Sequence, residues 1–238
     1  PVALCCIISS CTFAQETIQH YVSTQTIKIK TADPTDDSFE DLEQFGNAVG
    51  KAKIVLLGEQ DHGDASTFYL KSRLIKYLHE KMGFNVLIFE CDFFNLNEGW
   101  GRLKKEKSGI DSFLRQYLFP VWAYCPGCRY LLYEYVYATY KKNSPLEISG
   151  LDNQIYGTKV VTFLDSVLEA NKLYKDSVEQ AKFIYSLTNW RYNLNDTAAN
   201  NLYLTHLVRY KTELKNILKP DDLVVKVIEC LISFDFEF

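Results

Sequence analysis

Ile54-Val55-Leu56-Leu57-Gly58 and Val86-Leu87-Ile88-Phe89-Glu90 bracket the stretch that decides the fold. Each is a continuous apolar run of strand length, the pattern of a parallel strand covered on both faces. Between them Leu70, Leu74, Leu78 and Met82 recur every four residues, which predicts an amphipathic helix over 66–82 with Gly83 as its C-terminal cap. Strand, helix and strand together occupy about 37 residues, the size of a βαβ unit.

Working outward, Leu146-Glu147-Ile148-Ser149 reads as a third strand ending at Gly150-Leu151-Asp152. Helical segments over about 92–107, 109–117 and 127–142 separate it from the second. Upstream, Ser38 is placed to cap a helix carrying Phe39, Leu42, Phe45 and Val49 on one face and stopped by Gly50. Downstream, residues 157 to about 233 are helical in pattern, with breaks near Asn193–Asp196 and at Pro220. The expected fold class is α/β: a parallel sheet with flanking helices, followed by a mostly helical region. The expected organisation is a leader over 1–14, a polar N-terminal arm over 15–37, an α/β catalytic-type domain over 38–155 and a helical region over 156–238 that reads as truncated.

The 238 residues are 47% hydrophobic and 24% charged, enough apolar material for a sizeable core. The net charge of −4 argues against a nucleic-acid partner, since such domains carry a basic stripe. The chain begins at Pro1 with an apolar run over Val2–Ile8. Thr12-Phe13-Ala14 ahead of Gln15 fits a signal-peptidase site, whereas Ile8-Ser9-Ser10-Cys11 fits a lipobox in which Cys11 would carry a lipid anchor. Both imply export: a secreted, periplasmic or outer-membrane-associated bacterial protein.

All three strands end in polar residues that have no place in a core. Glu59, Asp61 and His62 follow the first, Glu90 and Asp92 end the second, and Asp152 ends the third. Ligands of open parallel sheets sit outside the carboxyl ends of the strands. A histidine among carboxylates is held in one tautomer and its imidazolium form is stabilised, so it can take a proton from water attacking a carbonyl. Asp64 and Asp92 are equally well placed as helix caps, and that plainer role is preferred for both.

The run Leu57-Gly58-Glu59-Gln60-Asp61-His62-Gly63 resembles the Gly-Glu-x-x-His-Gly signature of the erythromycin esterase family. Lys71 and Leu74 fit that family's following helix, Gly83-Phe84 and Glu90 its next strand, and Trp122 and Gly150-Leu151-Asp152-Asn153-Gln154 two later landmarks. The resemblance covers about residues 40–155. It implies a metal-independent hydrolase, without a cofactor, that opens macrolide lactones or related small-molecule esters. By resemblance His62 is the general base, Glu59 and Glu90 orient it or the water, and Lys71, with Asp61, Asp152 and Trp122, contacts the substrate. Asp61 stands where the family has a small hydroxyl residue, and Ser66 where an acidic one is common. The further catalytic histidine of the longer family members has no counterpart here, and His206 is not assigned that role.

Three alternatives stay open. A metal-dependent hydrolase would draw on Glu59, Asp61, His62, Glu90 and Asp152, one histidine among carboxylates. A surface-anchored haem- or ligand-binding protein is a second, since some distant relatives bind haem. The third is a catalytically inactive homologue. Cys125-Pro126-Gly127-Cys128 has the spacing of a redox motif but lies among helices rather than directly after a strand, and reads as a local disulfide or two free thiols. Tyr130, Tyr133, Tyr137 and Tyr140 read as a packing face.

Overall fold

The computed structural model describes residues 18–21, 23–24, 26–58, 61–62, 64–153, 158–189 and 197–236. The leader with Cys11, together with Glu59, Gln60, Gly63, Gln154 and the 193–196 break, lies outside the described residues. The chain forms two compact units, one ending at Gly83 and the other beginning at Phe84.

The first unit is built on two helices. A 3-10 turn over Glu40–Leu42 leads into α1 (Glu43–Val49), which Gly50 ends at φ 55°, a left-handed conformation suited to glycine. The second helix, α2 (Ala65–Met82), ends at Gly83, also left-handed at φ 76°. Phe39, Leu42 and Tyr77 form the buried centre, with Ile29, Phe45, Leu74 and Met82 around it. The expected polar arm is partly docked. Arg73, fully buried on α2, forks onto both carboxylate oxygens of Asp41 at 2.7 and 3.0 Å and donates to the carbonyls of Thr31, at 3.1 Å, and Ser38. One turn on, Lys76 donates to Pro34 O at 2.9 Å and meets Asp37 at 2.5 Å. Two buried cations thus hold residues 31–41 against the helix, because a charge leaves water only where partners replace its hydration.

The expected first strand is absent. Residues 54–58 are irregular, and Ile54 and Leu56 are 76% and 88% exposed. Strand structure needs a hydrogen-bonded partner, and none pairs with this run among the described residues. The apolar pattern is there, but pairing is a property of the neighbours.

In the second unit, β1 (Val86–Asp92) pairs in parallel with β2 (Glu147–Asp152). Helices α3 (Phe93–Arg102), α4 (Lys107–Tyr117), α5 (Pro120–Ala123) and α6 (Val136–Lys141) lie between the strands in sequence. The expected 127–142 helix is composite: a 3-10 turn over Pro126–Cys128, a π-helical turn over Leu131–Tyr135, then α6. The π turn takes the tyrosines out of a common stripe. Tyr133 is buried and donates to Ala123 O at 2.7 Å, while Tyr140 donates to Glu147 at 2.7 Å, beside Trp100 Nε1, which reaches the same carboxylate at 2.7 Å.

The helical region comprises α7 (Thr158–Ala170), α8 (Ser177–Asn189), α9 (Thr197–Lys215) and α10 (Leu223–Phe236). The Pro220 break is present, and a further one, at Lys172 with φ 56°, separates α7 from α8. Leu164, Leu168, Phe183, Leu207, Tyr210, Val225 and Ile228 form its core, which also takes in Phe94 of α3. The helical region and the segment following β1 therefore share one core. The architecture is α/β, with a small parallel two-stranded sheet and a mostly helical remainder.

Candidate active site

In the first unit, Asp61 and His62 lie on an exposed turn immediately before α2. Asp64 caps that helix, as its position predicts: its carboxylate accepts from Ser66 N at 3.1 Å and from the Thr67 hydroxyl. The Thr67 hydrogen bond holds the Asp64 carboxyl below its ordinary range. Lys71 follows two turns into α2, half-buried, with its ammonium 4.7 Å from the centre of the Phe68 ring. The run before the loop is not a buried strand, so burial at a strand end does not account for an acid at position 59.

In the second unit the two strand ends come together. Residues pair in step from Val86↔Glu147 to Phe89↔Gly150, and then Asp92, not Cys91, stands opposite Asp152. β1 holds one extra residue here, a bulge. Consecutive residues Cys91 and Asp92 are both buried, while Glu90 stays exposed, on the side of Val86 and Ile88. Gly150 makes the bulge sterically feasible: a β-carbon there would stand 2.5 Å from Asp92 O and 2.6 Å from Cys91 O.

Asp92 is committed to structure. Its carboxylate accepts from Asn95 N at 2.9 Å and Asn95 Nδ2 at 2.7 Å, capping α3. Asn97, two residues further on, donates to Gly150 O at 3.1 Å and accepts from the Ser149 hydroxyl, tying α3 to β2. The Asp92-x-x-Asn95 spacing was a legible capping signal; the role of Asn97 had none. Burial pushes the Cys91 thiol up to about 12, and the charges of Asp152, Asp92 and Glu90 add to the shift. Glu90 and Asp92 belong to the end of β1, and Asp152 stands opposite Asp92. Phe119 N donates to Cys91 Sγ at 3.3 Å, and Trp122 packs against Phe89 with ring centres 5.9 Å apart. Of the expected site residues in the second unit, Asp152 stands opposite Asp92 and Trp122 packs on the Phe89 face of β1, whereas Glu90 lies on the other, exposed face. Among the described residues no group of three or more His, Cys, Asp or Glu side chains is arranged to hold a metal ion.

A putative hydrolase of Bacillus subtilis strain 168, YbfO, is 31% identical over 122 residues, covering 51% of this chain and 26% of the relative. The erythromycin esterase type II of Escherichia coli is 26% identical over 104 residues, covering 43% of this chain and 25% of the relative. The chain is similar to the erythromycin esterases. It spans about a quarter of the length of these relatives. No family model matches it. Among solved structures, a Bacillus cereus protein superposes with a TM-score of 0.70 at 22% identity, over 93% of this chain and 56% of the other. A succinoglycan biosynthesis protein gives 0.68 at 20% identity, over 93% and 56%. A mutant of the erythromycin esterase EreC in its open conformation gives 0.52 at 18% identity, over 86% and 53%. These likenesses show a shared fold.

Proposed function

We propose that this chain is part of a hydrolase that cleaves an ester or lactone with water activated by His62. The observation that carries the proposal is the sequence similarity to a hydrolase and an esterase in a chain whose Glu59-Gln60-Asp61-His62 run directly precedes a capped helix bearing Lys71. His62 takes a proton from water as the oxygen attacks the carbonyl carbon. The tetrahedral oxyanion draws on the Lys71 ammonium. Collapse expels the alcohol oxygen, which takes the proton back from the imidazolium, leaving a carboxylic acid and an alcohol. Glu59 orients the imidazole or the water, and Asp61 contacts the substrate. The substrate class is a small-molecule ester or lactone, macrolides among them, and the compartment is outside the cytoplasm.

The test is product analysis with the full-length protein. Incubation with a macrolide should give a ring-opened acid heavier by one water, and Lys71→Met should slow its formation by about tenfold or more. Unchanged macrolide, together with no turnover of activated aryl esters, would remove the proposal.

A further inference from the structure

The Cys125-Pro126-Gly127-Cys128 motif takes no part in the proposed chemistry, and its geometry is specific. Cys125 is the N-cap of the 3-10 turn over Pro126–Cys128, with extended φ −65° and ψ 126°, and Pro126 fills the first helical position. Cys128 N donates to Cys125 O at 3.1 Å, closing the turn. The helical path continues without interruption to Lys141. Cys125 and Cys128 therefore occupy the N-cap and third helical positions. Residues three apart at a helix start are neighbours on one face. We propose that Cys125 and Cys128 are a modification site, a dithiol that closes reversibly into a disulfide across this helix start.

The other described cysteines are unsuited to compete. Cys91 is fully buried in the β1 bulge, and burial holds its thiol up to about 12, so the reactive thiolate is not formed. Cys230 packs against the helical core, and burial raises its thiol as well. None of these four cysteines is in a disulfide in this structure. Cys125 and Cys128 are themselves buried, at 7% and 4% exposure, and their turn meets solvent at Tyr124, which is 61% exposed, and at Pro126.

The exchange balances with a low-molecular-weight disulfide as oxidant. The Cys125 thiolate attacks one sulfur of that disulfide and releases one thiol. The Cys128 thiolate then attacks Cys125 Sγ and releases the second. Two protein thiols and one disulfide become one protein disulfide and two small thiols. The staple would lie three residues beyond Trp122, in the loop that Tyr133 ties down through Ala123 O. Its formation does not depend on the hydrolase proposal.

Trypsin releases both cysteines in one peptide, Gln116–Arg129. The full chain is incubated with oxidised or reduced glutathione, denatured with an alkylating agent and digested. The expected peptide after oxidation is unalkylated, lighter than the reduced peptide by two hydrogens, and restored by dithiothreitol. The same result is expected in Cys91→Ser and Cys230→Ser. A peptide that keeps two alkyl groups in oxidised glutathione, carries two glutathiones, or is linked to Cys91 or Cys230 would overturn the proposal.

Discussion

Two residues show how local chemistry sets the limits of this fold. Asp41 neutralises a guanidinium that has no exposure to water, and the Arg73 hydrogen bonds pull its carboxyl from the ordinary 3.8 down to about 2. Removing the carboxylate in Asp41→Ala leaves a buried charge, a change that costs about 3–5 kcal/mol, readable by urea unfolding. The folded pKa lies below the unfolded one, so the pair's contribution is complete above about pH 4. It is lost as the pH falls through 3.8 toward 2, because the unfolded chain takes up its proton first. Asp41→Asn should flatten that acid limb. Gly150 is the second case: its missing β-carbon is replaced in space by the carbonyl oxygens of Cys91 and Asp92. Those neighbours are backbone and cannot rotate away, so Gly150→Ala should destabilise by about 1–3 kcal/mol. A variant as stable as the wild type would show that the bulge rearranges freely.

At the scale of elements, helices were legible and pairing was not. α2 was read from four leucine-type positions and from Asp64 and Gly83, and the structure starts it one residue earlier than expected and ends it at the same place. Its cap is testable. Asp64→Ala removes two side-chain hydrogen bonds and should lower the urea midpoint, whereas Asp64→Asn should retain most of the wild-type stability. The 54–57 run carries the composition of a strand, yet composition cannot supply the neighbouring edge it needs. The π turn at Leu131–Tyr135 was invisible because its wider spacing differs from an α-helix by less than the scatter of a tyrosine-rich sequence. The docking of 31–41 has a signal in the sequence: Arg73 and Lys76 fall on α2 beside Leu74 and Tyr77, and cations on a core-facing stripe imply acidic partners elsewhere. For the site, the strand-end positions of Glu90 and Asp152 were legible from the apolar runs that precede them. The bulge that sets Asp92 opposite Asp152 was not, since it adds a residue to one strand without changing the pattern of either.

On the scale of the whole chain, each unit has its own core, and the helical region carries its own titrating group. His206 stacks near Phe183 and Tyr210, at ring-centre distances of 6.2 and 6.0 Å. Burial lowers its pKa below 6.5, Glu179 at 4.0 Å opposes the shift, and Arg209, Lys175 and Lys182 reinforce it. The folded base is harder to protonate than the unfolded one. Stability is therefore full above about pH 6.5 and declines as the unfolded chain protonates below it. His206→Gln should lose less stability than the wild type between pH 7 and pH 5; parallel losses would assign the decline elsewhere.

The central claim concerns His62, and its most direct test is chemical rescue in the full-length protein. His62→Ala should lower kcat/KM for an activated ester or macrolide by about 10²–10⁴-fold, with added imidazole restoring part of the rate in proportion to its free-base concentration. Hydrolysis by His62→Ala at the wild-type rate would contradict the account.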